Sequence, residues 1–256
     1  MLQVIKVGGA ALTDVTWLER FAEATAVRSG AARVIVHGGG PEITGLAAQL
    51  GVPTQFHQGR RVTSDEALDV TSMVLNGRIN KRIVRALRSE GLDAIGLSGE
   101  DGAIITGMLT DGGALGRVGD VIAVRTGLLK QLIALGLLPV LSPVSISSDN
   151  QALNINADQV ATAVAQKLPA DELLFLTDVA GVRDNDVYRR AISAAECLQL
   201  IACDVATGGM AVKLRAGVAA LKAGVSRVRV GSLEMLADPD AGTVITAAPM
   251  ASPIAV

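Results

Sequence analysis

Hydrophobic residues fall into two alternating patterns: short apolar runs bounded by glycine, and longer segments in which apolar residues recur at helical spacing. This alternation is typical of βαβ units, in which helices connect parallel strands. The predicted strands are Gln3–Val7, Arg33–His37, Ala94–Leu97, Pro139–Ser142, Leu173–Thr177 and Ser226–Gly231. The predicted helices are Val15–Ser29, Pro41–Leu50, Ser64–Glu90, Gly127–Leu135, Ala157–Leu168 and Met210–Ala223, the third with a candidate break near Asn76–Gly77. We therefore predict an α/β fold, a three-layer αβα sandwich around a central, mostly parallel sheet.

Two regions depart from this alternation. In Thr106–Val124, glycines are spaced among short β-prone pieces, and we predict hairpins set against the main sheet. At Leu168–Ala170, a proline follows the end of a predicted helix and precedes a new buried strand. We predict two lobes that meet at this point, residues 1–169 and residues 170–256.

The composition narrows the class of protein. Half of the residues are hydrophobic but only 2% are aromatic, so the core must be aliphatic. A formal net charge of −2 gives no general attraction to nucleic acid or to an anionic membrane, and we expect neither as a partner. The longest apolar region, Thr126–Ile146, is interrupted by charged, polar and proline residues, and Met1–Val7 shows no export signal, so we expect a cytoplasmic protein. Cys197 and Cys203 form neither a metal-ligand pattern nor a disulfide framework.

Two strand–glycine turns are candidate anion sites. In the first, Lys6 lies near the end of a strand that continues into Gly8–Gly9, so a positive charge and free N–H groups can face the same space. In the second, Gly38–Gly40 leads into a helix with Pro41 at its start, where N–H groups and the helix dipole favour anions. An ordinary βα turn explains the first motif alone equally well, and a flexible loop is the alternative for the second. Together they favour phosphate or carboxylate binding, with His37 expected to be structural.

Two adjacent arginines, Arg60 and Arg61, precede the long third helix. One guanidinium can hold a carboxylate through two hydrogen bonds while the other pairs with a surface acid. Two solvated arginines are the alternative, which the sequence alone slightly favours.

Polar and apolar residues alternate from Asn154 to Asp158, so Asn154, Asn156 and Asp158 are expected on one side of an extended segment that enters a helix. Capping of that helix by Asn156 or Asp158 is the alternative, and both roles are compatible. Farther on, Gly208–Gly209 opens a helix that carries Lys213 in an early turn, which makes this loop a candidate phosphate cradle.

Taken in order, seven segments resemble the amino-acid kinase family, and within it the acetylglutamate kinase branch. The segments are IKVGGAAL, VIVHGGGPEI, GRRVT, NGRINKRIV, LNINADQVA, LTDVAGV and GGMAVKLRAG. They occur in the same order and at compatible spacing, and the similarity extends from Lys6 to the region of Thr243. The resemblance implies the amino-acid kinase fold and ATP-dependent phosphorylation of the side-chain carboxylate of N-acetyl-L-glutamate, in arginine biosynthesis.

The resemblance also implies roles for individual residues. The amino-terminal lobe would bind the amino-acid substrate and support chain pairing, and the carboxy-terminal lobe would bind ATP. Lys6 and Lys213 match two lysines that stabilise the transferring phosphoryl group, and Asp158 matches the aspartate that organises them. Gly8 and Gly39 match glycines that donate N–H bonds to phosphate oxygens. The matching substrate-site residues are Gly39, Gly40, Arg61, Asn154 and Asn156, with Arg61 expected on the α-carboxylate. The matching nucleotide-site residues are Thr177, Asp178, Gly181, Val182, Gly208, Gly209, Met210 and Lys213.

The residue types agree with this chemistry. A carboxylate acceptor is already ionised near neutral pH, so no strong general base is required. Phosphoryl transfer depends mainly on in-line positioning and on cations and N–H groups that neutralise the phosphate oxygens. The resemblance implies Mg²⁺ as cofactor, held mainly through ATP phosphates and water rather than by a protein metal site.

Two departures from the resembled pattern bear on specificity and assembly. Arg60 stands where a leucine is common beside the substrate arginine. The chain starts at the first predicted strand, without the amino-terminal helix of arginine-inhibited hexamers, so we expect a homodimer that is insensitive to arginine.

Two alternatives to this activity remain. A kinase for carrier-protein-bound aminoadipate in lysine biosynthesis is similar in the segment GLSGEDG, but the compact Gly59–Arg61 and the uncharged Met210–Val212 favour free acetylglutamate. A non-catalytic amino-acid or nucleotide sensor on the same fold is the other. Retention of Lys6, Asp158 and Lys213 disfavours it, since a sensor needs no charge balance at a transition state.

Overall fold

The structure is a computed structural model of the protein, and it describes residues 1–8, 11–27, 30–184 and 187–247. Gly9 and Ala10, in the first glycine turn, lie outside the described residues. Arg28 and Ser29, at the end of the first predicted helix, lie outside them as well.

Strands and helices alternate through most of the described chain. The strands are β1 (Leu2–Val7), β2 (Ala32–His37), β3 (Gln55–His57), β4 (Arg60–Val62), β5 (Ala94–Ser98), β6 (Ile105–Leu109), β7 (Val118–Val124), β8 (Leu138–Ser142), β9 (Val144–Ser147), β10 (Ala152–Ile155), β11 (Glu172–Leu176), β12 (Arg183–Asp184), β13 (Val187–Tyr188), β14 (Ala191–Ser193), β15 (Arg227–Gly231) and β16 (Thr243–Thr246). The helices are α1 (Val15–Val27), α2 (Gly40–Gln49), α3 (Asp65–Ser72), α4 (Asn80–Ser89), α5 (Thr126–Ala134), α6 (Ala157–Lys167), α7 (Ala194–Ala202), α8 (Gly208–Lys222) and α9 (Glu234–Ala237).

An eight-stranded sheet forms the centre of the molecule, in the order β14-β16-β15-β11-β1-β2-β8-β5. Neighbouring strands are parallel except for β15 and β16, which are antiparallel. β1 lies between β11 and β2, with Val4 level with Leu173 on one side and Val34 on the other. The predicted, mostly parallel sheet is confirmed, and all six predicted strands belong to it.

Helices cover both faces of this sheet. Because side chains alternate between the faces of a strand, consecutive residues enter different layers. Val4 and Phe175 belong to the core that packs against α6 and α8, whereas Ile5 and Leu174 belong to the core that packs against α1 and α4. Each fully buried aliphatic side chain stabilises the fold by roughly 1.5–3 kcal/mol. The predicted three-layer αβα sandwich is therefore confirmed.

The predicted helices are present, and the long third one has an unusual centre. Ser64 caps its start by accepting a hydrogen bond from the Ala67 N–H at 3.2 Å. A π-helical segment, Met73–Ile79, then joins α3 to α4. The candidate break at Asn76–Gly77 lies inside this segment, so the helix changes its hydrogen-bonding pattern there rather than ending. Such π-helical turns are frequent at functional sites.

The middle region forms a small closed barrel of β6, β7, β9 and β10. The antiparallel hairpin of β6 and β7 confirms the prediction for this region. Its further partners, β9 and β10, were not predicted as strands; β9 is parallel to β6, and β10 is parallel to β7. β10 leads directly into α6, so the barrel determines where that helix begins.

The main sheet crosses the predicted lobe boundary at residues 169 and 170, because β1 pairs with β11 over five residue positions. The division into a substrate lobe and a nucleotide lobe stays a prediction. Across the described ranges, no helix has both the length and the apolar character needed to cross a bilayer.

Candidate active site

A cavity of about 210 Å³ lies beyond the carboxyl ends of β1 and β2. Its walls come from the end of β1, the turn between β2 and α2, the β3–β4 hairpin, and the segment from β10 into α6. The lining residues include Lys6, Gly39, Gly40, Arg61, Asn154, Asn156 and Asp158, which were predicted as site residues from the sequence. Crevices at the carboxyl ends of parallel strands are where α/β proteins usually bind ligands.

A buried ion pair joins β1 to the start of α6. The Lys6 ammonium lies 3.0 Å from Asp158 Oδ1, and each residue is 6% exposed. Asn156 caps α6, because its side-chain oxygen accepts the N–H groups of Asp158 at 2.8 Å and Gln159 at 3.4 Å. Capping by Asn156 is confirmed and the alternative of Asp158 as the cap is wrong. Asn156 therefore both caps the helix and lines the cavity.

Lys213 lies near this pair although it is far away in sequence. Its side chain is half-buried in α8 and its Nζ donates to the Gly209 carbonyl at 3.5 Å. Burial lowers the pKa of Lys213 and the charge of Lys6 lowers it further, while Asp158 and Asp178 act in the opposite direction. The charges of Lys6 and Asp158 therefore act on Lys213, which agrees with the prediction that these three residues serve one site.

The second glycine turn is closely packed behind the cavity. Gly39 precedes α2, and a Cβ atom on it would lie 2.6 Å from Leu75 Cδ2 and closer still to Ile79 Cδ1. Both of these side chains come from the π-helical segment, so a side chain at position 39 would force Leu75 and Ile79 to move. Gly40 borders the cavity with open space where a Cβ would be. The N–H groups at this helix start have no preceding carbonyls to bond, which leaves them as anion donors.

His37 supports the same turn from inside the protein. Its ring is fully buried, Nδ1 lies 3.1 Å from the Gly38 carbonyl, and Nε2 lies 3.1 Å from Asn80 Nδ2. Burial is the main cause that lowers its pKa to about 4, with Lys6 and Lys81 contributing. The ring is neutral near pH 7, so Nδ1 donates to Gly38 and Nε2 accepts from Asn80. The expected structural role of His37 is confirmed.

Arg61 is a buried cation surrounded by neutral groups. It is 9% exposed, and its guanidinium donates to Thr54 Oγ1 at 3.2 Å, Gly40 O at 3.1 Å and Thr44 Oγ1 at 2.7 Å. The guanidinium also lies 4.8 Å above the ring of Phe56. Burial lowers the pKa of Arg61. The alternative of two solvated arginines is therefore wrong for this residue.

Ion pairs between described residues leave Arg61 out. A buried charge without a counterion is costly, and a ligand carboxylate would remove that cost. Asn154 also lines the cavity, and its Nδ2 donates to Thr63 Oγ1 at 3.0 Å.

The predicted nucleotide residues are not among the described residues that line this cavity. Thr177 and Asp178 follow β11, and Thr177 Oγ1 donates to Asp178 Oδ1 at 2.9 Å. Val182 is part of the core, its N–H donates to Thr243 Oγ1 at 2.8 Å, and its carbonyl accepts from the Arg189 N–H at 2.9 Å. Gly181 packs so tightly that a Cβ would lie 2.6 Å from Thr243 Oγ1.

The remaining nucleotide residues belong to α8. Gly208, with a φ of +51°, and Gly209 begin the helix, and Met210 packs partly buried against the core. Gly8 follows β1, and a Cβ on it would lie at an ordinary contact distance of 3.7 Å from the Leu176 carbonyl oxygen. Within the described residues, Lys213 is the member of this predicted set that is coupled to Lys6.

Sequence reasoning missed the partners of the predicted residues. Phe56, Thr44 and Thr54 surround Arg61, and Asn80 holds His37. Nothing in the local sequence distinguishes these side chains, since their contacts depend on how separate elements meet.

Comparison with known proteins finds a matching family model and similar curated proteins. A family model described as the amino acid kinase family matches residues 1–232. The chain is 40% identical to an acetylglutamate kinase of Nitratidesulfovibrio vulgaris (strain DP4), and the match covers 94% of this chain and 86% of that protein. It is 44% identical to an acetylglutamate kinase of Rubrobacter xylanophilus, with 87% and 85% covered.

Solved structures agree on the fold. The structure of smu.665 from Streptococcus mutans UA159 superposes with a TM-score of 0.81 at 29% identity, covering 96% of this chain and 99% of that one. A carbamate kinase from Giardia, at 18% identity and a TM-score of 0.73, shares the fold over 95% of this chain and 98% of its own.

Proposed function

The chain belongs to the amino acid kinase family, and from that premise we propose that it transfers the γ-phosphoryl group of ATP to the side-chain carboxylate of N-acetyl-L-glutamate, in arginine biosynthesis. One observation carries the proposal. The cavity is lined by the Lys6–Asp158 pair, whose charges act on Lys213, and by buried Arg61, which has no ion-pair partner among the described residues. Cations for a phosphoryl group and a cation for a carboxylate thus serve a single small cavity.

In this proposal Arg61 holds the α-carboxylate of the acceptor. Its position is supported by the hydrogen bonds to Thr44 and Gly40 and by Phe56, which together leave little freedom for the guanidinium. Among the described contacts, Gly40, Thr44 and Thr54 engage both hydrogens of Nη2 and one of Nη1, so the Nε hydrogen and the second Nη1 hydrogen remain as donors for a carboxylate. Asn154 and Asn156 supply polar groups beside it.

Lys6 and Lys213 neutralise the transferring phosphoryl group, and Asp158 keeps their charges balanced between turnovers. In this proposal the N–H groups of Gly39, Gly40 and Gly8, the last at the end of β1, donate to oxygens of the same phosphoryl group. The acceptor carboxylate attacks phosphorus, the bond from the γ-phosphorus to the bridging oxygen breaks, and ADP leaves with that oxygen. Because the nucleophile is already ionised, no proton has to be removed.

ATP would lie along the carboxyl ends of β11 and β15 and reach Lys213 through the start of α8. The residues proposed for it are Thr177, Asp178, Gly181, Val182, Gly208, Gly209 and Met210. Among the described residues no three His, Cys, Asp or Glu side chains are grouped to hold a metal ion. The cavity carboxylate, Asp158, already pairs with Lys6. These residues therefore fit a Mg²⁺ that is held mainly by the nucleotide phosphates, where it would neutralise their charge.

We also propose two lobes that meet at residues 169 and 170, one for the acceptor and one for ATP. The protein is proposed to be a cytoplasmic homodimer, and the resemblance to the family supports the dimer. Light scattering tests the dimer.

An ADP-release assay with five acceptors tests the activity: N-acetyl-L-glutamate, glutamate, aspartate, aminoadipate and carbamate. N-acetyl-L-glutamate should be used with the highest kcat/KM. Preference for aminoadipate, especially when it is attached to a carrier protein, would replace the proposed acceptor. Binding of ATP or acceptor without any ADP release would identify a sensor instead.

Replacement of Arg61 by Ala tests the acceptor site. We expect KM for the acceptor to rise about 10- to 100-fold with a smaller change in kcat, because the lost contact serves ground state and transition state alike. Arg85, exposed on α4, provides a matched Arg→Ala control that should change neither constant. An unchanged acceptor KM in the Arg61 variant would reject the role proposed for Arg61.

A further inference from the structure

Arg60, the neighbour of Arg61, lies at a junction of two cavities. It lines the cavity at Lys6 and also a second one of about 390 Å³ between the β3–β4 hairpin, α6 and α8. Its side chain is 35% exposed. Successive side chains of a strand point to opposite faces, so the side chains of Arg60 and Arg61 lie on opposite faces of the same short strand.

The hairpin that carries both arginines belongs to no larger sheet, and it is held by contacts such as those of Arg61 with α2 and the bridge from Thr63 to Gly116. β3 and β4 have three residues each and pair only with each other among the described strands. All three residues of β3 are exposed. Gln58 and Gly59 connect the strands with positive φ at both positions, which is the pattern of a tight two-residue hairpin loop. An isolated hairpin of this size is marginally stable, so tethers to the rest of the protein decide its position.

Arg60 supplies such a tether. Its Nη2 lies 2.9 Å from Asp120 Oδ1 and its Nη1 donates to Thr110 Oγ1 at 2.9 Å. The Thr110 hydroxyl donates in turn to Asp120 Oδ2 at 2.7 Å. Burial raises the pKa of Asp120, but the hydrogen bonds from Arg60, Thr110 and Gln159 together keep it below its ordinary value. The carboxylate is therefore charged and well supplied with donors near neutral pH.

The same carboxylate also reaches α6. Gln159 Nε2 donates to Asp120 Oδ1 at 2.9 Å, and Gln159 follows Asp158 directly in the first turn of that helix. Asp120 thus connects the hairpin with Arg61 to the helical turn with the Lys6 partner. We refer to Arg60, Thr110, Asp120 and Gln159 as the Asp120 cluster.

We propose that Arg60 is a positioning residue for the acceptor site: through the Asp120 cluster it holds the β3–β4 hairpin against the barrel and α6, so that Arg61 stays on the cavity wall. This inference rests on the proposed function in assigning the acceptor to Arg61. The mechanical part, that Arg60 fixes the hairpin, stands on the contacts alone.

The positioning role of Arg60 is tested by the single variants R60L and D120N and by the double variant that combines them. Each single variant removes charge-assisted hydrogen bonds across the cluster, so we expect acceptor KM to rise about 10-fold while kcat and the KM for ATP change by less than about threefold. Because both residues act in one interaction, the double variant should resemble either single variant. R60K keeps the charge but loses the planar fork, and should fall between wild type and R60L.

A matched control removes a similar ion pair elsewhere. Arg88 and Asp93 lie 2.7 Å apart on the surface at the end of α4, and R88L should leave every constant as in wild type. Acceptor KM values within about twofold of wild type in both R60L and D120N, or effects that multiply in the double variant, would overturn the proposal.

Hydrogen exchange separates this inference from the proposed function, because it needs no substrate. The backbone amides of residues 55–62 should exchange faster in R60L and D120N than in wild type and R88L, with the main sheet unchanged. Unchanged exchange in the hairpin overturns the positioning role even if turnover is lost. If exchange in the hairpin is faster in the variants but the wild-type protein phosphorylates none of the five acceptors, the role of Arg60 in holding the hairpin is supported and the proposed reaction is rejected.

Discussion

Acidification should destabilise this protein through His37, and the size of the effect follows from its environment. The ring is fully buried, neutral, and committed to Gly38 on one side and Asn80 on the other. Its pKa is about 4 in the folded protein against 6.5 for an ordinary histidine. A protonated ring would lose the bond accepted from Asn80 and place a charge near Lys6.

The sign follows from proton binding. Between pH 6.5 and about 4 the unfolded chain carries a proton on His37 that the folded protein lacks, so stability falls as the pH is lowered. The contribution is fully present above pH 6.5 and declines toward the folded pKa of about 4. A difference of about 2.5 pKa units corresponds to about 3 kcal/mol, of which about 2.5 kcal/mol is lost by pH ~4.5.

Urea unfolding at several pH values from about 7.5 to about 4.5 measures this loss. Carboxylates with lowered pKa, such as Asp120 and Glu196, also lose stabilising interactions in acid, and a variant comparison cancels their contribution. His37→Asn can still donate to Gly38 but does not titrate. We expect this variant to be less stable near neutral pH, with a decline on acidification that is smaller by about 2.5 kcal/mol.

His57 offers the matched control, since it is the other histidine of the chain and lies exposed on β3. His57→Asn should keep the wild-type dependence on pH. Equal declines for wild type and the His37 variant would refute the reasoning, because they would mean that His37 is protonated in the folded protein without cost.

Two further predictions concern the site. Lys213→Ala should lower kcat at least about 100-fold, while acceptor affinity measured by calorimetry stays within about twofold of wild type. Lys222, exposed at the other end of α8, provides a Lys→Ala control. Undiminished turnover in the Lys213 variant would remove Lys213 from the mechanism. Gly39→Ala should destabilise the fold by about 1–3 kcal/mol in urea unfolding because its methyl group would collide with Leu75 and Ile79, whereas Gly45→Ala, with open space on α2, should cost nothing. Equal stabilities of these two glycine variants would contradict the packing described for the turn.

Much of the fold could be predicted because its signals are local. A glycine directly after a buried strand predicts a turn there, and in a parallel sheet these turns lie at the same edge. Lys6 and the Gly38–Gly40 turn could therefore be predicted at the same edge of the sheet, whereas their adjacency depends on the pairing of β1 with β2. The cap of α6 could be narrowed to Asn156 or Asp158 for the same reason, since capping involves only the next few residues, and Asn156 is the cap.

The contacts that could not be predicted join residues far apart in the chain. Asn80 holds His37 across 43 positions, and Asp120 holds Arg60 across 60. Their pairing depends on the register of the barrel and on the π-helical segment, neither of which leaves a local pattern. α7 is different, because Ser193 and Glu196 form a capping box that the sequence displays as Ser-x-x-Glu. That signal was available and would have identified the helix.

The central position of β1 has a consequence for how the chain acquires activity. The Leu2 N–H donates to Asp171 Oδ2, a residue 169 positions later, and β1 needs β11 as its second neighbour. Ribosomes add about 5–20 residues per second, so a nascent chain holds β1 with one open edge for roughly 10–30 s before β11 is made. An unpaired strand edge is a template for pairing with other chains. The Lys6 cleft therefore matures late in translation, and chaperones that shield nascent strands would act on this protein during that interval.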